Sequence, residues 1–124
     1  MTRFDNSSAI YLQIADLMCE KILTGEWPGG ERIPSIREVA ALVQANPNTV
    51  MRSFAHLQEE GILYNRRGVG YFVADDGKER VQSIRRQSFI HTQLPKVFRE
   101  ARLLGLSPNE LTELYQQYSG DDHD

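Results

Sequence analysis

The sequence predicts a mainly α-helical chain with a small β-hairpin wing. The expected architecture is a winged helix-turn-helix over residues 1–75, followed over residues 76–124 by a two-helix segment that dimerises and ends in a short acidic, disordered tail. Three observations predict it. Two capped helices are separated only by Gln44-Ala45-Asn46, the length of a helix-turn-helix connection. Two short β-prone runs follow at once, parted by Arg66-Arg67-Gly68-Val69-Gly70. The remaining chain carries apolar stripes at helical spacing.

The first helix is expected over residues 8–24. Ile10, Ile14, Leu17, Met18 and Ile22 recur at helical spacing, and Gln13, Asp16 and Glu20 face the other way. Gly25 ends it, and Trp27-Pro28-Gly29-Gly30 is a turn that no helix crosses. Ile33-Pro34 is extended, because a residue before proline is pushed out of the helical region. Ser35 and Glu38 form a capping box that opens a second helix, which runs to Val43 and buries Val39, Ala40 and Leu42. Asn46 caps a third helix, with Pro47 in its first position. That helix buries Val50, Phe54 and Leu57 and stops at Gly61. Strands are expected over 62–65 and 71–74. Asp75-Asp76-Gly77-Lys78 is polar and marks the boundary between domains. Beyond it Ile90, Leu94, Val97, Phe98, Ala101 and Leu104 form a stripe that Pro95 should kink or break. Gly105 ends that helix. Ser107 and Glu110 cap a last one, with Leu111, Leu114, Tyr115 and Tyr118 on one face. These ten apolar residues of the tail are too much apolar surface to leave wet, so they are the expected dimer interface.

The composition, 40% hydrophobic and 25% charged over 124 residues, is that of an ordinary globular protein. No run is long and apolar enough to span a membrane, and residues 1–8 lack the apolar core of a signal peptide, so a cytoplasmic location is expected. Cys19 is the only cysteine, which excludes an internal disulfide and a multi-cysteine metal site; it reads as a small core residue. The net charge of −3 argues mildly against nucleic acid. Its distribution argues the other way: residues 32–67 hold five basic side chains against three acidic ones.

The second helix of such a unit puts its N-terminal end into the DNA major groove. Here that end carries Asn46, Asn48, Thr49, Arg52 and Ser53. Asparagine pairs with adenine, arginine with guanine, and threonine bonds phosphate or touches a thymine methyl. Helical spacing sets Asn48, Thr49, Arg52, Ser53 and His56 opposite Val50, Phe54 and Leu57. A solvated polar helix face is the competing reading. The basic, glycine-bearing hairpin tip with Arg66, Arg67 and Gly68 favours DNA.

Several segments carry a resemblance at matching order and spacing. They are Ile10-Tyr11-Leu12-Gln13-Ile14, Ile33-Pro34-Ser35-Ile36-Arg37-Glu38-Val39-Ala40, Asn46-Pro47-Asn48-Thr49-Val50, Leu57-Gln58-Glu59-Glu60-Gly61-Ile62-Leu63 and Gly68-Val69-Gly70-Tyr71-Phe72-Val73. Together they resemble the GntR family of bacterial regulators. The tail segment Glu100-Ala101-Arg102-Leu103-Leu104-Gly105-Leu106-Ser107 resembles the end of its small YtrA subfamily. The resemblance implies a homodimeric transcription regulator that binds palindromic double-stranded operators and usually represses. It implies that Arg37 contacts the phosphate backbone. Thr49 and Arg52 would lie on the recognition helix, and Arg67 would probe the minor groove from the wing tip. Many members carry a base-reading arginine where this chain has Pro47, so the expectation shifts to Asn46, Asn48 and Arg52.

Other classes are disfavoured. Cys19 and Ser35 have no base and orienting group to make a nucleophile, so no enzyme is expected. His91 and His123 lack partners at metal-ligand spacing, so neither a metal nor a cofactor is expected. Gly68 and Gly70 lie between strands and do not form a phosphate-cradling loop. Some GntR relatives append a ligand-binding or aminotransferase-like domain, for which the residues after Ala74 are too few. Nothing in the sequence decides whether a small-molecule effector sets DNA affinity. A winged helix that binds protein without DNA is the remaining alternative, and the polar face of the third helix argues against it.

Overall fold

The computed structural model describes residues 9–121. Two compact units divide the chain, the first ending at Ile84 and the second beginning at Arg85. The expected N-terminal segment 1–8, His123 and the last residues of the acidic tail lie outside the described residues.

In the first unit, α1 (Ile10–Leu23), α2 (Ile36–Val43) and α3 (Pro47–Glu59) pack over an antiparallel hairpin of β1 (Leu63–Arg66) and β2 (Gly70–Val73). The core draws Ile14, Met18 and Ile22 from α1, Val39 and Ala40 from α2, and Val50, Phe54 and Leu57 from α3. Trp27, Ile33, Ile62, Leu63 and Val73 close it, and Cys19 is buried within it. Phe54 and Tyr71 meet edge to face, with ring centroids 4.8 Å apart. The strands start one residue off the expected spans. Leu63 pairs with Val73 on the buried face, and Tyr64 pairs with Phe72 on the outer one. The segment before Pro34 is extended, as its sequence requires, and adds a third edge. Ile33 N–H donates to the Tyr71 carbonyl and Val73 N–H to that of Glu31.

Two side chains depart from their expected faces. Leu42 was expected in the core but is 69% exposed. The buried stripe of the eight-residue α2 runs through Ile36, Val39, Ala40 and Val43, and Leu42 falls off its edge. Ser53 was expected on the exposed face but is fully buried. It stands one turn from both Val50 and Leu57, on the shoulder of the core face, where α1 crosses α3.

The polar stretch expected as a bare boundary is the start of a further helix, α4 (Gly77–Ser88). Its sequence is largely polar, with charged residues on five of its twelve positions. Val81 nevertheless inserts into the core of the first unit, and Gly77 is buried beside it. A Cβ at Gly77 would sit 2.5 Å from Val73 Cγ1 and 3.5 Å from the Ile62 carbonyl oxygen. Gly77→Ala should therefore destabilise the first unit by about 1–3 kcal/mol through overpacking. Urea denaturation of the substituted chain measures this, and an unchanged midpoint would contradict the packing.

The second unit takes the end of α4, a π-helical turn (Phe89–Gln93), α5 (Leu94–Leu103) and α6 (Pro108–Asp121). The expected disturbance at Pro95 takes the form of this π-turn. Proline has no N–H to donate and its ring crowds the carbonyl four residues back; the widened turn precedes it, with Leu94 N–H reaching the Phe89 carbonyl. Gly105, at φ 78°, turns the chain after α5. The Ser107–Glu110 capping box forms, with Ser107 N–H donating to Glu110 Oε1 at 2.9 Å and Glu110 N–H to Ser107 Oγ at 3.1 Å. Gly120 and Asp121, expected in the disordered tail, are helical.

Candidate nucleic-acid interface

Local rules place the helix-turn-helix. Ser35 Oγ accepts from Glu38 N–H at 3.1 Å and Ser35 N–H donates to Glu38 Oε1 at 2.8 Å. The hydrogen bond from the Ser35 backbone N–H, helped by the Ser35 hydroxyl and by the nearby Arg32 charge, holds the Glu38 carboxyl below its ordinary pKa. The cap thus stays charged into more acidic solution than a free glutamate. Gln44 ends α2 in the left-handed region, at φ 56°, which turns the chain sharply into α3.

Asn46 is the N-cap of α3, and its Oδ1 accepts from Asn48 N–H at 2.8 Å. Capping engages Oδ1, the acceptor that a paired contact to adenine would use, and leaves the amide N–H groups free to donate. Asn48 is exposed and Thr49 half-buried on the same end of the helix. Arg52 is exposed one turn further on, with its guanidinium carbon 4.1 Å from the centroid of the Tyr11 ring. Ser53 does not reach this surface. Its hydroxyl donates to the Tyr11 carbonyl at 2.6 Å and lies 3.3 Å from that of Thr49, pinning α1 to α3.

Arg37 is exposed in the first turn of α2. It shares a groove with Arg32, Ser35, Ile36, Val69 and Gly70, so the start of α2 and the wing converge there. Arg32 is a basic residue of this surface that sequence reasoning missed. A Cβ at Gly70 would sit 2.8 Å from Arg32 Nε, and Gly70 has φ 145°, so this position favours glycine twice over. The available signal was the period of two: Arg32 precedes the buried Ile33 in an extended segment and must point outward.

The hairpin carries the other basic residues. Val69 N–H donates to the Arg66 carbonyl at 2.8 Å, closing a turn in which Gly68 takes φ 77°. Arg67 is exposed at this tip. Arg66 is braced, with its guanidinium carbon 5.2 Å from the Phe72 ring centroid, and Phe72 stacks on Tyr64 at 5.5 Å. Among the described residues no group of His, Cys, Asp and Glu is placed to hold a metal ion, and no helix is long and apolar enough to cross a membrane.

Of the tail residues, Val97, Phe98, Leu104, Leu114, Tyr115 and Tyr118 are exposed. Ile90, Leu94 and Leu111 are half-buried. Ala101, expected at the dimer interface, is only 4% exposed and lies with Phe98, Leu106 and Leu111 around a small apolar groove of the second unit.

Comparison with known proteins agrees with this fold. The family described as bacterial regulatory proteins, gntR family, matches residues 10–73. The HTH-type transcriptional repressor YtrA of Bacillus subtilis is 33% identical over 116 residues, covering 94% of this chain and 88% of the relative. The HTH-type transcriptional regulator YhcF of the same organism is 32% identical over 111 residues, 90% of each chain. The crystal structure of a GntR family protein from Bacteroides thetaiotaomicron superposes with a TM-score of 0.81 at 42% identity, covering 90% of this chain and 97% of that one. The chain therefore belongs to the GntR family of bacterial regulatory proteins, as a YtrA-like, DNA-binding transcriptional regulator with a winged helix-turn-helix.

Proposed function

We propose that this regulator is a cytoplasmic homodimeric repressor that binds a palindromic operator. In this reading α3 of each chain enters the major groove. Asn48 and Arg52 read base edges there, and Thr49 contacts phosphate or a thymine methyl. Asn46 supports the same end of the helix. Arg37 anchors phosphate, and the wing lays Arg67, with Arg66 and Gly68 beside it, toward the minor groove. The observation that carries the reading is the exposed Asn48 and Arg52, with the half-buried Thr49 between them, at the start of the second helix of a helix-turn-helix. Repression is the role of the relative YtrA, a transcriptional repressor that matches nearly the whole chain. The exposed apolar residues of α5 and α6 support a two-fold pairing of chains through the second unit. The domain division follows: the first unit contacts DNA and the second joins two chains. No catalytic step is assigned to it.

The test is anisotropy titration of wild type, Arg37→Ala, Asn48→Ala and Arg52→Ala against operator and scrambled duplexes across a range of salt. A dimer placing Arg37, Arg52 and Arg67 of each chain at DNA makes roughly six contacts, giving a log–log salt slope of about −5. Arg37→Ala should weaken both duplexes about equally and flatten the slope. Asn48→Ala and Arg52→Ala should each cost about 1–3 kcal/mol on the operator and much less on the scrambled duplex. If they weaken both equally, α3 binds phosphate and does not read sequence. A flat salt dependence would remove DNA as the partner.

A further inference from the structure

Arg52 is a long side chain on an exposed helix face, yet it has a defined place. Its guanidinium carbon lies 4.1 Å from the centroid of the Tyr11 ring, a cation–π contact across two helices. Among the described residues no carboxylate forms an ion pair with it. Tyr11 is itself held at two points, its backbone and its ring. The buried Ser53 hydroxyl fixes the Tyr11 carbonyl at 2.6 Å, setting the register of α1 over α3 at this residue. The His56 ring meets the Tyr11 ring edge-on, with centroids 6.2 Å apart and planes at 78°. Arg52, Tyr11 and His56 line one open cleft between the two helices.

We propose that Tyr11 is the positioning residue for Arg52, holding its guanidinium ready for base recognition before DNA arrives; the proposal rests on the reading of Arg52 as a base contact. A guanidinium stacked on an aromatic face uses its π surface. Its N–H donors lie in its own plane and stay free for a paired contact to guanine O6 and N7. A free arginine must surrender its rotamer freedom when it meets a base. A stacked one has already done so, and the saving appears only where the arginine makes an ordered contact. Tyr11 thus raises discrimination between operator and other DNA. Ser53 serves the same end from the core, by its hydrogen bond and not by touching DNA.

The test uses the full-length chain and a duplex that the wild-type protein enriches from a randomised library, with a scrambled duplex as reference. Tyr11→Phe keeps the ring and should keep the ratio of operator to scrambled affinity. Tyr11→Leu keeps an apolar side chain without the quadrupole and should lower that ratio about fivefold, leaving the scrambled affinity unchanged. In an Arg52→Ala background, Tyr11→Leu should have no further effect on the ratio. Three results overturn the proposal while leaving Arg52 as a reader: Tyr11→Phe losing as much as Tyr11→Leu, which makes the hydroxyl a direct DNA contact; an equal loss with Arg52 already removed; or a Tyr11→Leu ratio equal to wild type. An Arg52→Ala ratio equal to wild type instead overturns the base-reading role, and the proposal with it. Thermal melts of Tyr11→Leu and Tyr11→Phe monitored by circular dichroism establish that both are folded.

Discussion

A full-length chain carrying Val97→Asp and Leu114→Asp is expected to sediment as a monomer and to bind operator at least about 100-fold more weakly than wild type. Both residues are about half exposed on the second unit, Val97 at 51% and Leu114 at 50%, so neither substitution needs a buried side chain of the free chain to change. Leu103 and Leu104, at 77% and 69%, continue the apolar character of this surface. In a two-fold pairing each substitution enters the interface twice. Each unpaired carboxylate stranded there costs about 3–5 kcal/mol, enough to abolish association at micromolar concentration. The loss at DNA follows from bivalency. A dimer that has engaged one half-site meets the second at millimolar effective concentration, and a monomer does not. A deletion after Asp76 would not serve as the same test, because it removes Val81 from the core of the first unit. A doubly substituted chain that still sediments as a dimer would move the interface away from α5 and α6.

The elements that were legible in the sequence are those set by local chemistry. Ser35 with Glu38, Asn46 with Pro47, and Ser107 with Glu110 each fix a helix start through bonds within four residues, and each start was found. The hairpin was readable because Gly68 and Gly70 lie between β-prone runs. Helix α4 was not: Val81 is its main apolar anchor in a largely polar segment, so no periodicity announces it. The same holds for side chains on the shoulder of a helix. Ser53 and Leu42 lie near the boundary between buried and exposed faces, and only the position of α1 decides Ser53. A polar residue there reads as outward and an apolar one as inward, and the structure reverses both. Of the candidate DNA surface, Arg37, Asn48, Arg52, Arg66 and Arg67 are exposed in the structure. Tyr11 and Arg32 were not recognised as part of it. Their significance depends on contacts across the chain, Tyr11 with Arg52 and Arg32 with Gly70, that no spacing encodes.

Phe54→Ala should bring the first unit to the edge of unfolding. Phe54 is fully buried, heads the largest buried side chains, and stacks edge-on with Tyr71 at 4.8 Å. Removing a buried phenylalanine costs about 3–5 kcal/mol in transfer and cavity terms, and the aromatic pair adds about 0.5–1.5 kcal/mol. A domain of this size has about 5–15 kcal/mol to lose, and a small one sits toward the lower end. Phe54→Leu keeps most of the volume and should cost about 1.5 kcal/mol or less. The position matters for function because α3 carries Asn48 and Arg52 on its outer face and Phe54 on its inner one. Loss of the anchor releases the reading surface. Operator DNA binds only the folded state, so at about 100 times its dissociation constant it returns about 2.7 kcal/mol. Urea denaturation followed by circular dichroism should therefore show Phe54→Ala with a much lower midpoint, partly restored by operator and little by scrambled DNA. A substituted chain with the wild-type midpoint would mean that α3 is not seated on this core. A lowered midpoint that operator fails to raise would mean that binding does not require the folded first unit.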